Sequence, residues 1–241
     1  MHCALFGKVS PKRDFVAVHA PRRVLDVWEP WIQGGMSASR QSLGDDWQPV
    51  FLKAPIWRFW LGDELCGTTV IGAFMPSLDG IGRYFPLTVF ACADEGETIA
   101  PPELDPQADW FTAAEDFLLS TLDHGITYEA ISSTLEQLAI PANNGAAPPP
   151  EMIALPDRMV SAMGSEQSFS ERFASMRIAG HRNVYSSATF WWTIGGEGYP
   201  QFAVSGRRMP NPFLFTEMLT GRFAFGFEHP PSGEASSGEA E

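Results

Sequence analysis

IWRFWLGDELCGTTVIGAFMPSLDGIGRYFPLTVFACA, residues 56–93, decides the fold. Three runs inside it, Ile56 to Leu61, Thr68 to Met75 and Phe85 to Ala93, are short, rich in aromatic or β-branched residues and bounded by Gly, Pro and Asp. Those are the marks of buried strands, and the three are expected to pair in one sheet. Between the last two runs, Asp79, Gly80, Ile81 and Gly82 read as a tight turn flanked by Pro76 and Pro86.

On the N-terminal side, Val24, Leu25, Trp28, Trp31, Ile32 and Met36 recur at steps of three and four, which predicts an amphipathic helix over 22–42. Pro30 removes a backbone donor within it, so a kink or two abutting helices are expected. On the C-terminal side, Asp105-Pro106 starts a helix carrying Trp110, Ala114, Phe117 and Thr121, with Phe111, Leu118 and Leu122 beside them. A second helix follows Thr127, with Ile131, Leu135 and Leu138 facing inward. Ser168 and Glu171 match a capping box for a short helix whose apolar face is Phe173 and Met176. Strand patterns return at 188–194 and 201–204, and Asn211-Pro212 opens a last helix that Gly221 ends. Strands near both ends with helices between and after them argue for an α/β layer arrangement.

A chain of 241 residues with 44% apolar content buries roughly 70% of its unfolded surface as one domain. That domain is expected over 1–227, with an internal loop at about 141–157 and a disordered acidic tail over 228–241. No run reaches the ~18 apolar residues of a membrane span, and the start MHCALFGK lacks a secretory h-region, so a cytoplasmic location is expected. Three cysteines are too few for a disulfide framework; Cys66 and Cys92 read as core thiols. The net charge of −13 is uneven, for residues 94–157 hold thirteen carboxylates and no Lys or Arg. Nucleic acid and anionic lipid are excluded as partners of that face. A protein partner or small ligand remains, as does an acidic surface that only aids solubility.

Motifs of catalysis are missing. Gly7 and Lys8 do not close a phosphate loop, because His2 stands where its first glycine belongs; the reading is a strand end turning into a basic loop that exposes Lys8, Lys12, Arg13 and Asp14. Asp79 has no second Asp-Gly pair to help build a two-metal site. No nucleophile elbow, zinc spacing or Ser-His-acid set occurs, so neither enzyme activity nor a metal or cofactor is expected. Arg58, inside an aromatic strand, must find a carboxylate, a carbonyl or an aromatic face. Asp14, Asp79 and Arg83 are candidates for the same network, which either holds loops in place or contacts a partner. An alternative is an enzyme or nucleotide-binding protein that uses Lys8, Arg13, Asp79 and Arg83 as an anion pocket.

Phe6, Gly7, Lys8, Asp14 and Phe15, the pair Trp28 and Trp31, Ser39-Arg40, the Pro55, Trp57, Arg58, Phe59 strand, and Pro76, Ser77, Asp79, Gly82, Arg83, Phe85 and Pro86 resemble the signature of the TagF family, the type VI secretion system-associated proteins. Similarity continues weakly at Trp191 and Trp192. The resemblance implies a three-layer α/β/α sandwich around a mixed sheet and a bacterial post-translational repressor of type VI secretion. It implies binding to the cytoplasmic forkhead-associated scaffold protein of the apparatus, with any serine/threonine phosphatase a separate protein. The residues marked for partner binding or a structural network are Lys8, Arg13, Asp14, Arg40, Arg58, Asp79 and Arg83.

Overall fold

The computed structural model describes residues 1–123, 125–141, 152–155, 158–162 and 168–223. In chain order the elements are β1 (Cys3–Gly7), β2 (Val16–Val18), α1 (Arg22–Leu43), a 3₁₀ turn (Gly44–Asp46), α2 (Trp47–Lys53), β3 (Trp57–Leu61), α3 (Asp63–Cys66), β4 (Val70–Met75) and β5 (Leu87–Cys92). There follow α4 (Ala108–Ser120), α5 (Tyr128–Gln137), β6 (Met152–Leu155), β7 (Arg158–Ser161), α6 (Phe169–Ala179), α7 (His181–Val184), β8 (Ala188–Thr193), β9 (Phe202–Arg207) and α8 (Phe213–Thr220).

Seven strands form one sheet in the order β2-β1-β5-β4-β3-β8-β9. Every pairing in it is antiparallel, so the expected mixed sheet is corrected to an antiparallel one. The physical reason lies in the connections: β4 reaches β5 through the loop of residues 76–86 and, among the described residues, no helical crossover sets a strand parallel to its neighbour. The three runs of residues 56–93 become β3, β4 and β5 and sit at the centre, as expected.

Side-chain alternation divides the core into two faces. Phe6, Trp57, Phe59, Phe74, Phe90 and Trp191 face α1, α2 and α8. Leu5, Trp60, Ile71, Val89 and Leu87 face α4 and α5. The molecule is therefore three layers, helices on both sides of a sheet.

The first face is aromatic. Trp28 stacks on Phe59 at 4.2 Å between ring centroids and lies 5.9 Å from Trp191, while Trp31 approaches Trp191 at 4.6 Å. The Trp28 indole N–H donates to Thr88 Oγ1 at 3.1 Å, which fixes the ring's rotation over β5. Beneath the Phe59 ring is its cross-strand neighbour Gly72, where a Cβ would fall 2.3 Å from the ring tip and 2.8 Å from the Val89 carbonyl oxygen. Only a residue without a side chain leaves room for the stack that seats α1.

Helix α1 runs unbroken through Pro30, contrary to the expected kink or pair of helices. Pro30 lies on the exposed face, where water can satisfy the carbonyl it leaves unpaired. Part of the expected loop at 141–157 is also corrected: Met152–Leu155 is a strand paired with Arg158–Ser161. Residues 142–151 and 156–157 of that loop, and the expected tail at 228–241, lie outside the described residues. In α6 the capping box is present as expected, yet Phe173 is 64% exposed and the buried residue is Arg172. Leu122, expected to continue the helical spacing, is exposed just past the end of α4.

All three cysteines are buried free thiols. Burial pushes Cys66 up to about 11 and Cys92 up to about 12, so both stay protonated and unreactive at neutral pH. Among the described residues no helix is long and apolar enough to cross a membrane.

Gly72→Ala is expected to cost about 1–3 kcal/mol in urea denaturation, because the added methyl forces the Phe59 ring and the β5 backbone apart. Combining it with Phe59→Leu should destabilise less than the sum of the single changes, since the clash then has no ring to meet.

Candidate functional site

At one end of the sheet the β1–β2 loop and the β4–β5 loop meet. Gly7 ends β1 at φ 136° with its Cα against the β4–β5 connection, where a Cβ would fall 2.1 Å from the Pro86 carbonyl oxygen. Both the positive φ and the close approach require glycine. The next residue, Lys8, turns its ammonium inward and donates to Asp79 Oδ2 at 2.8 Å. Lys8 is buried, which corrects the expectation that it is exposed on a basic loop.

Asp79 has no exposed surface and is the hub. Its Oδ1 accepts from the backbone N–H groups of Ile81 (3.1 Å) and Arg83 (2.9 Å). Its Oδ2 accepts from Lys8 and from Arg83 Nε at 2.7 Å. Burial by itself would raise the Asp79 carboxyl; the Lys8 ammonium, the Arg83 amide and guanidinium and the Ile81 amide outweigh it and hold the group well below the ordinary carboxylate range.

Further bonds join the two loops. Ser77 Oγ donates to the Lys8 carbonyl at 2.7 Å, the Gly80 N–H donates to the Lys12 carbonyl at 2.8 Å, and the Arg83 guanidinium donates to the Arg13 carbonyl. Neighbouring helices pin the assembly on both sides. Tyr84 sets its ring edge against Trp47 and Phe51 of α2 and bonds Gln48. Across the sheet, Lys12 sits over the Tyr128 ring of α5 at 4.2 Å. Ser39 and Arg40 act on the same wall: Trp47 Nε1 donates to Ser39 Oγ at 2.8 Å, and the Arg40 guanidinium lies 4.3 Å from the Trp47 ring.

This rim presents Phe15 (49% exposed) and Ile81 (58% exposed) near the exposed Lys12, Arg13 and Arg83, with one exposed carboxylate, Asp14, among them and Arg40 over Trp47 on the adjoining α2 wall. Phe15 rests edge-on against Phe85 at 4.7 Å, so it is held although half of it meets solvent. Rigid apolar side chains ringed by cations make a surface suited to another protein. Phe15 and Ile81 lay outside the expected network residues; a phenylalanine directly after Arg13-Asp14 in a loop is the signal that points to the first.

Two expected members of the network stand apart. Asp14 is exposed and forms no ion pair among the described residues. Arg58 belongs to a separate pair on the opposite face of the sheet: Nε and Nη2 bind Glu115 Oε1 and Oε2 of α4 at 2.5 and 2.9 Å, and the guanidinium lies 5.1 Å from the Phe111 ring. Strand alternation explains the split, since Arg58 and Trp60 point to the face away from Trp57 and Phe59. The residues of the alternative anion pocket are placed as follows: Lys8 and Arg83 both bind Asp79, whereas the Arg13 guanidinium is exposed and only its carbonyl joins the network.

The TagF N-terminal domain, described as type VI secretion system-associated, matches residues 4–138. The chain belongs to the TagF family. The matched span runs from β1 through α5 and contains the whole rim and the Arg58–Glu115 pair. No curated protein matches the chain. Among solved structures, the crystal structure of PA0076 from Pseudomonas aeruginosa PAO1 is similar over 92% of this chain and 95% of its own, with 28% identity and a TM-score of 0.75. That likeness extends the common fold beyond the matched TagF domain to the C-terminal part of the chain.

Because the folded carboxyl of Asp79 is held below its unfolded value, its stabilising effect is complete above about pH 4 and is lost as the pH falls further. Thermal midpoints of the wild type should therefore drop faster between about pH 4 and pH 2 than those of Asp79→Asn. At neutral pH Asp79→Asn should melt well below Arg83→Gln, which removes a half-exposed partner worth about 1 kcal/mol or less. For the second pair, Glu115→Ala strands a nearly buried guanidinium and should cost about 3–5 kcal/mol, whereas Arg58→Met with Glu115→Leu should come close to the wild type in urea.

Proposed function

We propose that this TagF-family chain is a non-enzymatic, post-translational repressor of type VI secretion that binds the cytoplasmic forkhead-associated scaffold protein of the apparatus and docks through the rim. The observation that carries the reading is the pairing of a fully internal Asp79 hub with exposed Phe15 and Ile81. Rigid loops lose little conformational freedom on binding, so their apolar contacts translate into affinity. The cations around them, Lys12, Arg13, Arg40 and Arg83, favour an acidic face on the scaffold. Family membership supports the link to type VI secretion. Any phosphatase acting in the same control circuit is a separate chain in this reading.

Ile81→Asp tests it, since Ile81 is exposed and its backbone N–H, which binds Asp79, is kept. Affinity for the purified scaffold, measured by calorimetry, should fall roughly thirtyfold with the melting temperature unchanged. In cells, the same substitution should release effector secretion that the wild-type chain holds down. Equal affinity of Ile81→Asp and wild type would remove the rim from the interface, and no association by either would remove the scaffold.

A further inference from the structure

We propose that the outer edge of β9, with the groove beside it, receives an extended acidic segment of a partner protein as an added strand. This site lies at the opposite edge of the sheet from β2 and stands independently of the rim. β9 ends the strand order, and among the described residues no strand covers its far side. The Arg208 N–H donates to the Ser187 carbonyl, one residue beyond the paired register of Ala188 with Arg207. Antiparallel alternation then turns the main-chain groups of Phe202, Val204 and Gly206 toward β8 and those of Ala203, Ser205 and Arg207 outward. These three residues are exposed, and no proline interrupts Phe202–Arg207. The edge carries little of the protection that isolated edges usually have.

Contiguous with this edge is an open groove of about 680 Å³. Phe190, Trp192 and Ile194 contribute apolar surface to it, with Pro102 and Pro106 along its side. α4 and α5 lie over β1, β5 and β4, α4 reaches β8 where Phe111 meets Trp192 at 4.8 Å, and the groove opens beyond that contact toward β9. A strand laid against β9 would take its outward hydrogen bonds and drop alternate side chains into the groove, the geometry of strand addition. Charge selects the occupant. Residues 201–209 hold Arg207 and Arg208 and no carboxylate, and Glu103 on the groove wall is already bound by Tyr185 and paired with Arg177, so an acidic segment matches the cationic end of the edge, whereas an antiparallel second copy brings no carboxylate to it.

A random library of twelve-residue peptides, selected on the full chain, is the probe. Enriched sequences should alternate apolar residues at period two and carry Asp or Glu at the end that meets Arg207 and Arg208. Their affinity should fall roughly tenfold in Ser205→Pro, which removes one outward N–H without touching the β8 ladder, and similarly in Arg207→Glu with Arg208→Glu. On the unaltered chain, methylating alternate peptide nitrogens should abolish binding in one frame and spare it in the other. Absence of enrichment, enriched sequences without alternation, or equal loss in both methylation frames overturns the proposal. So does a dimer in sedimentation that Ser205→Pro dissolves, which would assign the edge to a second copy.

Discussion

Phe59 lies across Gly72, and Trp28 lies across Phe59; the position of everything on the first face of the sheet follows from that stack. α1 carries Trp28 and Trp31 one helical turn apart, so seating one indole on the sheet seats the other against Trp191 of β8. The contact thus ties the N-terminal helix to a strand formed more than 150 residues later. Edge-on and stacked rings add to the area they bury, and the Trp28 bond to Thr88 makes the arrangement directional. Apolar burial alone would hold α1 on the sheet without choosing its rotation.

The rim rests on this frame. Ser39 and Arg40 stand at the far end of the helix that Trp28 anchors, and their contacts with Trp47 bring α2 to Tyr84. Tyr84 in turn lies next to Arg83, a ligand of Asp79. A buried carboxylate is tolerated because hydrogen bonds replace the water it has lost, and the buried Lys8 ammonium and the two backbone N–H groups carry most of that replacement. The network therefore links loop conformation to the correct docking of α1 and α2. Such coupling lets loops carry exposed apolar side chains without the mobility that surface loops usually have.

Much of this was legible in the sequence, for reasons that particular residues show. The central strands announced themselves because they are buried on both faces and read as unbroken apolar runs, and α1 because its tryptophans fall at helical steps. Lys8 misled because one-dimensional pattern reading treats a lysine in a basic loop as solvated; its partner is 71 residues away, and only the antiparallel neighbours β1 and β5 bring the two loops together. Arg58, a guanidinium inside an aromatic strand, requires a partner on sequence grounds alone. Which partner depended on strand parity, and parity put it with Glu115 on the other face. The β6–β7 hairpin is hidden in the sequence because proline and alanine around it dilute the alternation that marks a strand.

Charge completes the division of labour between the faces. The outer surface of α4 and α5 exposes Asp109, Asp116, Glu129 and Glu136, whereas the rim is ringed by Lys12, Arg13, Arg40 and Arg83. For the proposed partner, an acidic surface would be repelled by the helical layer and attracted to the loop end, so the long-range field would orient the encounter before any apolar contact formed. In the proposed docking, the cations would act within a Debye length of about 8 Å and hold a partner while Phe15 and Ile81 make apolar contact. A chain with strong overall negative charge can in this way present a local positive target, and the separation of the two along the sequence is what allows the fold to place them on different sides.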